Sequence, residues 1–248
     1  MPNDTLIACL RDEYGEVRVF DNGERRLLSF GAGDEQSACL KQDPSFLLFD
    51  YTQAMLLGLL FQHPRKVLCL GLGAGSLVKA LHRHVKGVKL TVVELRQAVI
   101  DAAQQYFYLP DSRRLSLHCA DAGAFMAEHS AAYDLIFCDL YTLDGVSPLQ
   151  GDSAFLQACS ACLKPGGWLV LNGWRTHQHS EELLLPVQST FSEVRSLNTP
   201  EGNWILFAGQ TPLATGNKWQ QQARDWSDRL GYDLMPYLKH SRVLQSCQ

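Results

Sequence analysis

The sequence has no cluster of lysine and arginine residues and no long apolar run. Lysine and arginine total 22 against 26 aspartates and glutamates, which gives a formal net charge of −4. This balance offers no electrostatic attraction for nucleic acid or for an anionic membrane, so we expect neither as a partner. No window approaches the eighteen or so apolar residues of a membrane-spanning helix, and no basic region followed by an apolar core opens the chain. We therefore expect a cytoplasmic protein.

Internal repeats and low-complexity segments are also absent. Hydrophobic residues make up 46% of the 248 residues and charged residues 19%. These proportions are typical of a globular protein with one large α/β domain and a small appendage. Cys159 and Cys162 form a CxxC motif, but it has no second pair and no histidine at ligand spacing. We expect it to be part of a buried helix face, and we expect no metal site.

The stretch VLCLGLGAGSLVKAL, residues 67–81, carries the clearest motif of the chain. It begins like a strand that is buried on both faces and continues with Gly71, Gly73 and Gly75, before a helix that Ser76 is expected to cap. Glycine lets the backbone turn sharply and lets a ligand approach main-chain N–H groups. A second buried strand ends at Glu94, where a carboxylate can accept hydrogen bonds from both ribose hydroxyls of a nucleotide.

Strand and helix patterns alternate from residue 67 onward. This predicts a sheet of five parallel strands with right-handed crossovers, finished by an antiparallel pair at 192–197 and 204–209. Before it, an Asn-Gly pair at 22–23 between two alternating runs predicts a hairpin, and a helical pattern covers 44–61. We predict three segments: an N-terminal β unit at 1–43, a nucleoside-binding Rossmann-like domain at 44–210 and a helical extension at 211–248.

Acidic residues follow three successive strands of this predicted sheet. Glu94, Asp121 and Asp139 come after the second, third and fourth strands. A single acidic residue at a strand end is more often a helix cap or a solvated loop residue. Because the carboxyl ends of parallel strands meet at one edge, we expect these three residues and the glycine turn to form one site.

The GLGAGS turn supplies GxGxG rather than the GxGxxG of dinucleotide-binding proteins. Together with the KPGG turn before the fifth strand and the terminal hairpin, it resembles the class I methyltransferase fold that binds S-adenosylmethionine (AdoMet). This resemblance implies an α/β, Rossmann-like fold with a mostly parallel seven-stranded sheet and an antiparallel C-terminal hairpin. It also implies six cofactor-binding residues: Gly71, Gly73 and Gly75 in the glycine turn, of which Gly71 and Gly73 face the sulfonium end, Glu94 at the ribose, and Asp121 with the Ala122 N–H at the adenine.

Within that class the chain resembles the spermidine synthase family, the polyamine aminopropyltransferases, from about Tyr14 to Gly209. The resemblance rests on the N-terminal hairpin, on Gln36-Ser37, on Asp50-Tyr51 before the first core strand, and on YDLIFCDLYTLDG at 133–145. It implies transfer of an aminopropyl group from decarboxylated AdoMet to a small amine, without a metal, in a protein that is often a homodimer. Asp139 would bind the amine and deprotonate it, which an alkylamine with a pKa of about 10 requires. The expected substrate-binding residues are Gln36, Tyr51, Tyr141, Asp144 and Trp174.

Two aspartates of the family pattern are replaced in this chain. Ala74 stands where the family has the aspartate that contacts the amine tail of decarboxylated AdoMet, and Thr142 stands where it has a second diamine-binding aspartate. Arg175, expected near the pocket, would suit an anionic group such as the carboxylate of intact AdoMet. Three hypotheses follow: aminopropyl transfer to a small amine, methyl transfer from AdoMet to a small molecule, and nucleoside binding without catalysis.

Overall fold

A small antiparallel sheet forms the N-terminal part of the protein. The structure is a computed structural model, and it describes residues 4–30, 37–142, 145–178, 180–212 and 218–246. The first sheet has the strand order β1-β2-β3-β4, with β1 at Thr5–Asp12, β2 at Gly15–Asp21, β3 at Arg25–Ser29 and β4 at Ser37–Leu40. The predicted hairpin is confirmed, because β2 and β3 pair antiparallel across the Asn22-Gly23 turn, where Gly23 has φ +90°.

An eight-stranded sheet with helices on both faces forms the rest. Its elements are α1 (Asp50–Met55), β5 (Lys66–Leu70), α2 (Ser76–His84), β6 (Lys89–Glu94), α3 (Gln97–Tyr106), β7 (Leu115–Cys119), α4 (Ala122–Glu128), β8 (Tyr133–Cys138), a two-stranded ribbon of β9 (Tyr141–Thr142) and β10 (Gly145–Val146), α5 (Ser153–Ala161), β11 (Leu163–Trp174), α6 (Glu181–Thr190), β12 (Glu193–Asn198), β13 (Asn203–Gly209), α7 (Lys218–Leu230), α8 (Met235–His240) and β14 (Arg242–Ser246). Short 3-10 helices lie at Leu56–Leu60, Pro148–Gly151 and Arg175–His177.

The strand order explains where a ligand can bind. The large sheet has the order β14-β12-β13-β11-β8-β5-β6-β7. Strands β7, β6, β5, β8 and β11 are parallel, and β13, β12 and β14 are antiparallel to their neighbours. The chain runs outward from β5 to β7 and then returns to the other side of β5 with β8. This reversal opens a crevice beyond the carboxyl ends of β5 and β8.

Alternate side chains of the central strands enter two different cores. In β5, Val67 and Cys69 pack in one hydrophobic cluster, and Leu68 and Leu70 pack in the other. Helices α1, α2, α3 and α7 cover the first face, and α4, α5 and α6 cover the second. A strand buried on both faces needs apolar residues at every position, which is why the central strands appear in the sequence as continuous apolar runs.

The structure differs from the sequence-based expectations in three elements. The sheet has an eighth strand, β14, from the segment that was expected to be a helical extension. The helical pattern at 44–61 forms only α1 and the 3-10 helix at Leu56–Leu60. Ser76 does not cap α2: Gly75 holds the N-cap position, and the Ser76 hydroxyl donates to the Ala38 carbonyl at 2.9 Å, which joins α2 to β4. The division into three segments stays a prediction.

Helix α7 packs its apolar face, which includes Trp219 and Trp226, within its own chain. Ala223, Trp226 and Leu230 belong to the first core, with exposed fractions between 0% and 7%. The Trp219 ring lies 5.5 Å from the ring of Phe61. A homodimer stays a prediction. Within the described ranges, no helix has the length and apolar character needed to cross a membrane.

Candidate active site

A cavity of about 590 Å³ occupies the crevice at the carboxyl ends of the parallel strands. Nine of the ten predicted site residues that the structure describes line it: Tyr51, Gly71, Gly73, Glu94, Asp121, Ala122, Asp139, Tyr141 and Trp174. Gly75 is the exception among the described residues, because it faces the protein interior, where a Cβ would lie 2.7 Å from Leu109 Cδ1. Gln36 and Asp144 lie outside the described residues.

The glycine turn touches the end of β8. Gly71 has φ +94°, a backbone conformation that only glycine adopts without strain. A Cβ at this position would come within 2.3 Å of the Asp139 carbonyl oxygen. The Gly71 N–H donates to the Val93 carbonyl, and the Asp139 N–H donates to the Leu70 carbonyl, each at 2.9 Å. These contacts hold the glycine turn, the end of β6 and the end of β8 together on one wall of the cavity.

Two backbone N–H groups of the cavity wall hold the Glu94 carboxylate. Its Oε2 accepts a hydrogen bond from the Leu72 N–H, and its Oε1 accepts one from the Arg96 N–H, both at 3.0 Å. Burial raises the pKa of the Glu94 carboxyl, and the two N–H groups oppose that rise. Each carboxylate oxygen has a further lone pair, so Glu94 retains the capacity to accept hydrogen bonds from a diol.

Arg96, a residue that no motif of the sequence indicated, connects the N-terminal sheet to this wall. Its guanidinium donates to both carboxylate oxygens of Asp12 at 2.8–3.2 Å and to the Gly15 carbonyl at 2.9 Å. The guanidinium also lies over the ring of Phe30, which lines the cavity, at 4.9 Å from the ring centroid. Because Asp12 is distant in the sequence, no local pattern indicates this ion pair.

Asp121 has a structural role in addition to its place at the cavity. Its side chain is the N-cap of α4, and its Oδ1 accepts a hydrogen bond from the Ala124 N–H at 2.8 Å. Asp121 is exposed, whereas the adjacent Ala122 is buried. The cap fixes the carboxylate at the start of α4, so that it lies at the cavity next to the Ala122 backbone.

Asp139 is the carboxylate at the other end of the cavity. Its Oδ1 accepts a hydrogen bond from Asn172 Nδ2 at 2.8 Å, and the Tyr51 side chain lines the same cavity. Burial raises the pKa of the Asp139 carboxyl from 3.8 to about 6, although the contacts with Asn172 and Tyr51 favour the ionised form. Burial also raises the pKa of the Tyr51 hydroxyl well above its ordinary value, so Tyr51 stays protonated. Asp139 is therefore ionised at neutral pH but more basic than an ordinary aspartate.

Two asparagines that were not predicted as site residues extend the polar contacts of Asp139. Asn203 Nδ2 donates to Asn172 Oδ1 at 3.0 Å and lies 3.5 Å from the Tyr141 hydroxyl. Gln150 Nε2 donates to the Asn172 and Leu140 carbonyls at 3.1 and 3.2 Å. The Asn172–Asn203 contact depends on the pairing of β11 with β13, which no motif of the sequence specifies.

Aromatic side chains form the outer wall beside Asp139. The rings of Tyr141 and Trp174 lie 5.9 Å apart, and the Trp174 ring stacks on His177 at 6.2 Å. The Trp174 indole also covers Gly145, where a Cβ would come within 2.9 Å of it. Trp174 is 43% exposed, unlike the buried Trp168 and Trp204. An exposed indole face beside a carboxylate is suited to bind a cation.

Ala74, Thr142 and Arg175 differ in where they lie relative to the cavity. Ala74 is fully buried, and its carbonyl accepts a hydrogen bond from Lys79 Nζ at 3.0 Å. Thr142 lines the cavity, and its hydroxyl donates to the Gly145 carbonyl at 3.3 Å. Arg175 is exposed and is not among the described residues that line the cavity, although the adjacent Trp174 is, so a role for Arg175 toward an anionic ligand stays a prediction.

Comparisons with known proteins bear on the family and the fold of this chain. Residues 49–201 match the family described as "Spermine/spermidine synthase domain". A polyamine aminopropyltransferase from Vibrio vulnificus is 29% identical over 243 residues, which cover 94% of this chain and 80% of the relative.

Two solved structures have the same α/β fold. A probable spermidine synthase from Corynebacterium glutamicum has a TM-score of 0.78 at 20% identity, covering 90% of this chain and 88% of that one. Human methyltransferase-like protein 13 in complex with SAH has a TM-score of 0.67 at 26% identity, covering 74% and 93%. The predicted α/β, methyltransferase-type fold is thus confirmed. Because the family match covers more than half of the sequence, the chain belongs to the spermine/spermidine synthase family.

Proposed function

We propose that this chain is a transferase that moves the aminopropyl group of decarboxylated AdoMet to a small amine. One observation carries the proposal: Asp139, whose carboxylate accepts a hydrogen bond from Asn172, faces the cavity beside the glycine turn. Family membership and the aminopropyltransferase from Vibrio vulnificus support the same reaction.

The proposed donor occupies the part of the cavity between the glycine turn and α4. Glu94 accepts hydrogen bonds from the ribose hydroxyls, and Asp121 with the Ala122 N–H contacts the adenine. The sulfonium group lies over Gly71 and Gly73, where the absence of side chains leaves room for it. Glu94 is suited to this role because two backbone N–H groups already fix its carboxylate plane.

The proposed acceptor lies between Asp139 and the aromatic wall. The amine arrives as an ammonium ion, which the Asp139 carboxylate and the faces of Trp174 and Tyr141 attract. The ammonium gives a proton to Asp139, and the nitrogen forms a bond to the propyl carbon next to sulfur. The C–S bond breaks with its electron pair on sulfur, which leaves as a neutral thioether. The pKa of about 6 brings Asp139 about two units closer to an alkylamine with a pKa of about 10.

A second candidate is methyl transfer from intact AdoMet to a small molecule. It is favoured by Ala74, which is buried and offers no carboxylate to the amine tail of decarboxylated AdoMet. The human methyltransferase-like protein, with SAH in its structure, shares the fold at 26% identity. The same Asp139 would then accept the proton of the acceptor while the methyl carbon, rather than the propyl carbon, faces it.

Calorimetry with decarboxylated and intact AdoMet, followed by incubation with putrescine, spermidine and agmatine, distinguishes these functions. We expect tighter binding of the decarboxylated donor and a product whose mass has increased by an aminopropyl group. Asp139→Asn is the control, since it retains the cavity and removes the base. A methylated product would establish the second candidate instead. Binding of either donor without any product from these amines would contradict the proposed aminopropyl transfer and favour nucleoside binding without catalysis.

A further inference from the structure

Four side chains from four strand ends form a continuous line of hydrogen-bonding groups. Asn172 Nδ2 donates to Asp139 at 2.8 Å, Asn203 Nδ2 donates to Asn172 Oδ1 at 3.0 Å, and the same nitrogen lies 3.5 Å from the Tyr141 hydroxyl. All four side chains line the cavity. Asp139, Asn203 and Tyr141 are partly exposed, whereas Asn172 is only 1% exposed.

The sheet register creates this line. Leu171 of β11 pairs with Cys138 of β8, so the next residues, Asn172 and Asp139, lie side by side. Trp174 of β11 pairs with Asn203 of β13, which places Asn203 diagonally opposite Asn172 on the same face of the sheet.

The direction of the hydrogen bonds follows from the chemistry of the groups. An ionised carboxylate only accepts hydrogen bonds, so Asn172 must present its NH₂ group to Asp139. The two ends of an amide have nearly the same shape and opposite polarity, and packing alone does not select between them. A donor is therefore required at the Asn172 oxygen, and Asn203 supplies it.

We propose that Asn203 is a positioning residue that fixes the Asn172 amide with its NH₂ group toward Asp139, and that this orientation keeps Asp139 ionised in the cavity. The role of Asp139 toward an amine rests on the proposed function, whereas the orientation of the amide does not. If the amide turned over, its carbonyl oxygen would face the carboxylate. Asp139 would then lose a hydrogen bond to its charged form and gain a repulsive contact, so its affinity for a proton would rise.

Asn203→Asp tests the proposal, because aspartate has nearly the same shape but accepts hydrogen bonds where asparagine donates. We expect the Asn172 amide to turn its NH₂ group toward residue 203. The readout is the titration of the Asp139 carboxyl carbon, followed by ¹³C NMR. Its resonance is assigned as the one that is missing from the spectrum of Asp139→Asn. The titration midpoint should rise by about one pH unit or more.

Two controls separate reorientation from simpler effects. Asn198→Asp places the same charge on the same hairpin, where Asn198 contacts Gln178 and is exposed, and it should leave the midpoint unchanged within about 0.3 units. The direct effect of the new charge is measured by making Asn203→Asp in an Asn172→Leu background, which has no amide to turn. The proposal requires a larger shift with Asn172 present than with leucine there.

Equal shifts in the two backgrounds, or an unchanged midpoint in Asn203→Asp, would overturn the positioning role. If Asn203→Asp does not fold, Asn203→Ala removes the donor without adding charge and should still raise the midpoint, by about half a unit; an unchanged midpoint would again overturn the role. The apparent pKa on the acidic side of the pH profile of kcat/KM should shift in the same direction as the NMR midpoint. A shifted midpoint in a protein without transferase activity would retain the positioning role and contradict the proposed function instead.

Discussion

The Cα of Gly71 lies against the backbone carbonyl of Asp139, so close that a Cβ at position 71 would come within 2.3 Å of that oxygen. The two residues are 68 positions apart in the sequence. In the proposed reaction, this contact brings the donor sulfur above the glycine turn and the acceptor amine beside Asp139 into one small volume. Such proximity supplies much of the acceleration in a transfer between two bound substrates.

Gly71→Ala should abolish donor binding and lower the melting temperature. The new Cβ would meet the Asp139 carbonyl, and alanine at φ +94° is strained by roughly 1–3 kcal/mol before that clash is counted. Calorimetry and thermal unfolding measure the two effects. Gly87→Ala is the matched control, because Gly87 has φ +73° but nothing within 4 Å of its Cβ position. A similar loss of stability in both variants would show that the contact with Asp139 is unimportant.

Asp139→Asn should lower kcat by about 10²- to 10⁴-fold and leave donor affinity within a few-fold. The wild-type rate should fall as the pH drops through about 6, because the carboxylate is then protonated and cannot take a proton. The variant should lack this dependence. Asp111→Asn, at an exposed position, is the control and should retain the wild-type profile. Most of the wild-type rate remaining in Asp139→Asn would exclude Asp139 as the base.

Asp139→Asn should also stabilise the protein at neutral pH. Burial raises the pKa of Asp139 to about 6 in the folded chain, against 3.8 ordinarily, so the folded state binds the proton more tightly. The free energy of unfolding that this group contributes is therefore greatest below pH 4 and declines as the pH rises from about 4 to 6. Asparagine carries no charge, so the variant should gain about 1–2 kcal/mol at pH 7 and little at pH 4. Urea unfolding at both pH values measures this, and equal stability at pH 7 would contradict it.

Glu94→Ala should weaken donor affinity at least about tenfold, since hydrogen bonds to a charged acceptor contribute roughly 1.5–3 kcal/mol each. Part of the loss arises because the Leu72 and Arg96 N–H groups lose their acceptor. Titration calorimetry with the preferred donor gives the dissociation constant. Glu128→Ala, at an exposed position near the end of α4, should bind normally. An unchanged dissociation constant for Glu94→Ala would remove Glu94 from the ribose site.

Asp12→Asn should reduce the free energy of unfolding by about 2–4 kcal/mol at pH 7, because it leaves the Arg96 guanidinium without a charged partner. The two side chains are only 10% and 14% exposed. Burial raises the pKa of Asp12, but the hydrogen bonds and charge of Arg96 outweigh it, and the pKa lies below 3.8. The carboxylate therefore stabilises the fold above its ordinary pKa, and the difference between wild type and variant should shrink as acid protonates Asp12.

The exposed ion pair of Arg11 and Glu16 provides the comparison for Asp12. Arg11 is 73% exposed, so Arg11→Ala should change the free energy of unfolding by less than about 0.5 kcal/mol. Denaturant unfolding of the two variants side by side measures the difference between a buried and an exposed pair on the same sheet. A similar small change in both would show that Asp12 does not hold the N-terminal sheet to Arg96.

The sequence predicted the alternation of strands and helices, the glycine turn, and the cavity residues Glu94, Asp121 and Asp139. These features are readable because each depends on neighbours along the chain: apolar runs specify buried strands, and the position directly after a parallel strand lies at the ligand-binding edge. The helix at 44–61 was predicted too long, because its apolar pattern is shared by α1 and the 3-10 helix at Leu56–Leu60. Local periodicity does not distinguish these two helix types.

Only the tertiary structure decided which distant residues meet. The ion pair of Arg96 with Asp12, the packing of the α7 tryptophans on their own chain, and the line from Asp139 through Asn172 to Asn203 depend on strand register and on the docking of separate sheets. The basicity of Asp139 has the same origin, because burial is a property of the folded surroundings and not of the residue. The sequence thus specified the groups that carry the chemistry, and the fold specified their protonation, orientation and partners.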